Sequence, residues 1–374
     1  MNPANPAQST ISAGGRKKAV WIAFALFVVY AALAWAYFRH TAALQAPPGY
    51  AGTAADPAVF MPPDVLNLVE SYKPWAYFFS FVIPAWQWLV FWALVASGAA
   101  ARWQAFLERP RIPRMLRFPV YVLLVWTVVS LLFLPFRFAD YRVAAFHGVA
   151  TQSVRGWFAD DALSFALDCV LVLIALGLIR WFLSRGGRWK AKLVLAAVPL
   201  VVLLDYVYPA LISPMFTPVK PVSDERLERS ILALAERADV PVDRVYEAEM
   251  SSVTAEMNAT ISGFGSSLRI VVWDTMLEGT GEKELLFVLA HELGHYVHRD
   301  TLLYAANGVF WTGAVIGAGA WLYERIVTRW GPRWGIRRLS DLAGLPLIQW
   351  FDDHPGISKR IAAALQFGEE RKDG

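Results

Sequence analysis

The chain has 374 residues, 56% of them hydrophobic, with 17 tryptophans and a mean hydropathy of +0.39. That composition excludes an ordinary soluble domain and points to a multi-pass membrane protein. The net charge of +4 sits mostly on arginines in short loops between apolar runs, which speaks for membrane topology and against nucleic-acid binding; one cysteine, Cys169, leaves no disulfide framework and no cysteine-based zinc site.

Residues 1–18 are polar and small and end in Arg16-Lys17-Lys18, which predicts a flexible cytoplasmic N-terminus. The apolar run behind them has Arg39 and His40 at its far end and no small-residue cleavage pattern, so it reads as a retained anchor. Five apolar segments follow in order: 19–38, 75–100, 118–136, 162–184 and 191–213. Each can cross a hydrocarbon core of about 30 Å as a helix, so residues 19–213 are expected to form a membrane domain with five transmembrane helices. Residues 39–74 are rich in Pro, Ala and Gly and predict an irregular loop. Asp168 and Asp205 lie inside apolar segments, where a carboxylate is either a functional group facing a watery interior or a helix–helix polar contact. A sixth transmembrane helix is expected over 302–325, although its Gly-rich run 313–319 leaves a re-entrant path open. Residues 326–374 form a shortened C-terminal region.

Residues 214–301 change character and predict an α+β unit. Pro218 and Pro221 end the membrane segment. Ser223 can cap a helix that carries Asp224 and Glu225 in its first turn and the apolar series Leu227, Ile231, Leu234. Val245–Ala248 and Leu268–Asp274 read as strands, separated by a break at Ser251-Ser252.

Within the unit, His291-Glu292-Leu293-Gly294-His295 is an H-E-x-x-H motif. Positions i and i+4 share a helix face, so both imidazoles can point at one metal ion, with Glu292 beside them to take a proton from water. The helical context is strong. Gly279 and Gly281 break the preceding chain, Glu282 and Glu284 suit the first turn, and Leu285, Leu286, Val288 and Leu289 supply a stripe to bury.

Residues 205–300 resemble the CAAX prenyl protease type 1 family, the integral-membrane zinc metallopeptidases of the Ste24 kind (peptidase family M48). The resemblance rests on Ile212–Phe216, Ala233–Arg237, Asn258-Ala259 with Gly263-Phe264-Gly265, Arg269–Thr275 and the motif helix. Trp350–Ile361 is similar to the family's C-terminal His-Pro…Arg-Ile signature. The implied fold is a multi-pass α-helical membrane protein with an inserted α+β zincin-type (HExxH) metallopeptidase domain. Carried over by residue, His291 and His295 are ligands of one Zn2+ per chain and Glu292 is the general base. Asn258 lies on an edge strand that pairs with the substrate, His354 stabilises the oxyanion, and Arg360 holds that end of the site. The implied activity is a zinc metalloendopeptidase acting on peptides or proteins, prenylated or membrane-associated ones among them, within a lipid bilayer and without nucleic acid.

One part of the pattern differs. The family's third zinc ligand is a Glu in a Glu-x-x-x-Asp pattern after a seventh membrane helix, and no such segment is found. Downstream of His295 the glutamates are Glu324, Glu369 and Glu370. An internal deletion accounts for this, and it leaves a second function open: a catalytically inactive relative that binds peptides or partner proteins. Lys and Arg crowd 16–18, 102–117, 185–192 and 325–338, which places the N-terminus inside and the 214–301 unit outside the cytoplasm. The Ala/Arg-rich composition suggests a bacterial cell membrane, with the endoplasmic reticulum membrane as the alternative.

Overall fold

The computed structural model describes residues 13–41, 51–53, 56–107, 112–184, 189–207, 211–262 and 268–330. The described residues fall into two compact units. One draws on residues up to 143, on 165–189 and on those from 318 onward; the other draws on 144–164 and 190–317.

The first six helices are α1 (Ala13–Thr41), α2 (Pro57–Phe60), α3 (Pro63–Ala96), α4 (Ala99–Leu107), α5 (Arg114–Phe146) and α6 (Val154–Ser184). Among the described residues, four helical stretches are long and apolar enough to cross a membrane: Lys17–Thr41, Pro63–Ala96, Met115–Phe146 and Val154–Phe182. Trp21, Leu26 and Leu33 leave most of their surface exposed on α1. A helix that is apolar all round is at home in lipid, where such exposure is no penalty.

Residues 63–74, expected to be irregular, instead form the first turns of α3. Pro63 sits in the first turn, where its missing N–H is no loss, and Asp64 complements the positive end of the helix dipole. Composition alone misled here because proline is counted as a breaker wherever it stands. Aromatic rings join α1 to α3: Trp35 lies 4.0 Å from Trp75 between ring centroids, Phe38 5.1 Å from Phe81, and Phe27 5.2 Å from Trp86. Pro84 in α3 and Pro135 in α5 each remove an internal hydrogen bond and open the helix locally. Close to these prolines, side chains from neighbouring helices reach main-chain carbonyls: Tyr30 Oη donates to Phe81 O at 3.2 Å, and Trp86 Nε1 donates to Leu132 O at 2.9 Å.

The remaining elements are α7 (Trp189–Val207), α8 (Ser213–Phe216), β1 (Val219–Pro221), α9 (Glu225–Arg237), β2 (Val245–Ala248), β3 (Ala259–Ser262), β4 (Arg269–Trp273), α10 (Asp274–Gly279), α11 (Glu282–Val297) and α12 (Asp300–Trp330). The fifth expected span falls on α7, whose apolar helical stretch Ala191–Leu200 is shorter than the other four. The sixth expected stretch lies in α12, a helix unbroken through 313–319; among the described residues it is not one of the four stretches long and apolar enough to cross a membrane.

The sheet has the order β1-β2-β4-β3. β1 runs antiparallel to β2, β2 parallel to β4, and β3 antiparallel to β4 with Thr260 opposite Val271. β4 is central and buried at Ile270, Val271 and Val272, while β3 is an edge strand. Helix α9 is capped by Asp224, not by Ser223: its Oδ1 accepts from Arg226 N at 2.9 Å and Leu227 N at 3.1 Å. The carboxylate is the better acceptor for the first-turn N–H groups, and it carries the charge the dipole favours.

One core serves the whole unit. Ile231 and Ala235 of α9, Val245 of β2, Ala259 of β3, Ile270 and Val272 of β4, and Leu285, Leu289 and Leu293 of α11 meet in it. The three leucines recur every four residues and so share a face. Burial of each is worth about 1.5–3 kcal/mol. Replacing Leu289, which is fully buried, by alanine is expected to cost about 2–5 kcal/mol and to lower the thermal midpoint of this unit in detergent. The same change at Leu286, which is only partly buried, should lower it less.

Candidate metal centre

Helix α11 carries the H-E-x-x-H motif on the side its leucines leave free. Glu284 secures its start by accepting a hydrogen bond from Gly281 N at 3.2 Å. Leu285, Leu289 and Leu293 fix the helix about its own axis, because rotation would lift them out of the core. With the axis fixed, His291 and His295 stand together one turn apart. Their Nε2 atoms are 3.2 Å apart, with the rings nearly perpendicular at 86°. One ligand atom each from His291, Glu292 and His295 lies within 4.8 Å of the others.

This donor set fits a divalent transition metal. Two ring nitrogens bound at about 2.0–2.1 Å around a tetrahedral ion stand about 3.3–3.4 Å apart. The 3.2 Å separation meets that spacing with the backbone as it stands. The other nitrogen of His295, Nδ1, is 2.7 Å from Asp300 Oδ2. That hydrogen bond, with the negative charges of Asp300 and Glu292 nearby, holds the His295 imidazolium above its ordinary pKa.

β3 packs against α11, so the sheet edge runs beside the helix that carries the cluster. Asn258 heads this strand and is exposed. Its carbonyl accepts from Trp273 N at 3.0 Å, and its Oδ1 accepts from Ala259 N at 2.8 Å. The chain leading to Asn258 is held from two directions. On one side, Thr151 N donates to Val253 O at 3.1 Å, Thr151 Oγ1 to Ser251 O at 2.7 Å, and Ala255 N to Val149 O at 2.8 Å. On the other, the nearly buried Asp274 carboxylate accepts from Ser251 N at 2.8 Å, from Ser251 Oγ and from Thr275 N. Burial works against ionisation of Asp274, but these hydrogen bonds, with one from Met250 N, outweigh it and hold the carboxyl below its usual range.

His291, Glu292 and His295 therefore come together, and Asn258 heads the strand beside their helix. His354 and Arg360 lie outside the described residues, as do Glu369 and Glu370. Glu324 is on α12, its side chain outside the described set. Asp168 is half-buried on α6, and Asp205 is on α7 with its side chain outside the described set. Sequence reading passed over Asp300, Asp274 and Thr151. Asp300 had one visible signal, a carboxylate five positions after the second histidine, just past the helix end. Thr151 had none, since it meets Ser251 across 100 residues of chain.

Residues 221–330 match the model of peptidase family M48, and residues 59–218 match that of the CAAX prenyl protease N-terminal region with five membrane helices. The chain is 30% identical over 331 residues to an uncharacterized metalloprotease, YhfN, of Bacillus subtilis, covering 88% of this chain and 78% of that protein. It is 37% identical over 171 residues to a CAAX prenyl protease 1 homolog of Dictyostelium discoideum, covering 41% of this chain and 39% of that one. Among solved structures, the S. mikatae Ste24p crystal structure matches with a TM-score of 0.66 and 18% identity, covering 84% of this chain and 73% of that chain; the likeness shows the fold. A helical membrane protein with an inserted metallopeptidase unit is thus the class that fold and site define. The chain belongs to peptidase family M48, as a Ste24-like member. It spans about a third to a half of the length of the eukaryotic relatives it matches, 42% for the Caenorhabditis elegans one. The family implies a metal cofactor and peptide or protein substrates, and the chain is an integral, multi-pass membrane protein.

The Asp274 network predicts a pH-dependent contribution to stability. A carboxyl whose folded pKa is depressed stabilises the fold above its unfolded value of about 4, and this contribution fades as pH falls through the folded value. Asp274→Asn should cost about 1–3 kcal/mol at pH 7, since donors aimed at the carboxylate lose their partner. The gap in thermal midpoint between variant and wild type should close as pH is lowered below about 4.

Proposed function

We propose that the chain is a membrane-embedded zinc endopeptidase that hydrolyses extended peptide segments laid along the β3 edge. The observation that carries this reading is the cluster of His291, Glu292 and His295 on a helix packed against an edge strand. His291 and His295 hold the ion through Nε2. Zinc bound there supplies a Lewis acid that brings the pKa of water toward about 7 and polarises a carbonyl. Glu292 takes the proton from the attacking water and passes it to the departing amine, so charge never accumulates on the leaving group.

The substrate backbone adds to β3 as a further strand, with main-chain hydrogen bonds for affinity and Asn258 at the start of the strand for alignment. His354 stabilises the oxyanion and Arg360 holds that end of the site. Support for these two roles comes from the His-Pro…Arg-Ile signature in the sequence. A catalytic zinc site takes three protein ligands and leaves a position open. Among the described residues the cluster supplies two histidines with Glu292, so a third ligand comes from elsewhere. Prenylated proteins are one substrate class in keeping with the names of the eukaryotic relatives; membrane proteins with an extended segment near the bilayer surface are the class the edge strand itself suits.

Two measurements test the reading. Elemental analysis of detergent-purified protein should find about one zinc per chain, lost in His295→Ala. Glu292→Gln should keep its zinc yet cut peptide cleavage by about 10²–10⁴-fold, and a chelator should abolish cleavage by wild type. Zinc bound without any cleavage would instead favour the catalytically inactive relative that binds peptides or partner proteins.

A further inference from the structure

Helix α11 ends at Val297, and the chain turns at once into α12, which begins at Asp300. Arg299 makes that turn with φ at 59°, in the left-handed region that glycine usually occupies after a helix. A residue with a Cβ pays about 1 kcal/mol or more to sit there. The consequence of the turn is local and specific. It brings the Asp300 carboxylate back beside α11, where Oδ2 lies 2.7 Å from His295 Nδ1.

The two nitrogens of His295 then face different partners. Nδ1 faces Asp300, and Nε2 lies 3.2 Å from His291 Nε2. Since an ionised carboxylate only accepts, the proton of a neutral His295 belongs on Nδ1. That leaves the Nε2 lone pair free on the side of the cluster. Asp300 itself is on the far edge of the ring from His291, so it is not placed to be a ligand alongside the two Nε2 atoms. With 28% of its side chain exposed, it is a partly sheltered partner.

We propose that Asp300 is a positioning residue for the metal centre: it fixes the tautomer and ring orientation of His295 so that Nε2 is the donor presented to the ion. This rests on the reading that the cluster binds zinc. Carboxylates that hydrogen-bond to a ligating histidine also raise its basicity, and their removal commonly costs 10–100-fold in metal affinity.

Asp300 also opens α12, where an acidic residue suits the dipole, so the test must separate the two roles. Zinc affinity of the full-length, detergent-purified chain is measured by competition with a chromophoric chelator, and thermal midpoints are measured without metal. Asp300→Ser keeps a residue suited to a helix start but cannot reach Nδ1. Asp300→Asn keeps an acceptor oxygen and loses the charge. Asp300→Ser is expected to weaken zinc binding by roughly 10–100-fold at an unchanged metal-free midpoint, with Asp300→Asn between it and wild type. Serine and asparagine variants that both bind within about twofold of wild type would overturn the proposal. If the serine variant fails to fold, the asparagine variant decides by the same threshold. Wild type that binds no zinc would refute the metal-site reading itself, and this inference with it.

Discussion

The arrangement depends on how helix α11 is held about its own axis. Leu285, Leu289 and Leu293 are sunk in the core formed with α9, β3 and β4, and they leave the helix one orientation. His291 and His295 lie on the same 16-residue helix, so whatever fixes the leucines also aims the imidazoles. A rotation of one residue step, about 100°, would turn the histidine side toward the core and bring the leucines toward water. Hydrophobic burial, which has no direction of its own, thus sets the direction in which the two imidazoles point.

The second constraint acts on the sheet edge. An edge strand can accept a new partner only if its open side is presented in register, and a short strand such as β3 has little length with which to hold itself. The chain in front of it compensates. Residues 249–256 are tied to the α5–α6 connection through Val149 and Thr151 and to α10 through Asp274 and Thr275. Thr275 Oγ1 donating to Glu256 O at 2.7 Å and Thr254 Oγ1 donating to Val149 O at 3.0 Å complete the clamp. Asn258 therefore follows a braced segment, although it is exposed itself.

The sequence by itself determined a good deal. The apolar runs showed the membrane spans because lipid leaves a helix no use for polar residues over most of its surface. The H-E-x-x-H motif showed which side chains would meet because a four-residue step on a helix is itself a geometry, and His291 and His295 need nothing distant to become neighbours. Strands β2 and β4 were legible for a similar reason, as short apolar runs between breakers. Only the tertiary structure decided the rest. The four-stranded order, with β3 at the edge and beside α11, arises from pairings between segments far apart in the chain. The first turns of α3 replaced an expected loop because the position of Pro63 within a turn matters more than the presence of proline. Thr151 reached Ser251, and Asp300 reached His295, through a fold and a turn that no local pattern records: the first depends on long-range packing, and the second on one residue, Arg299, held where its own conformational preference would not put it.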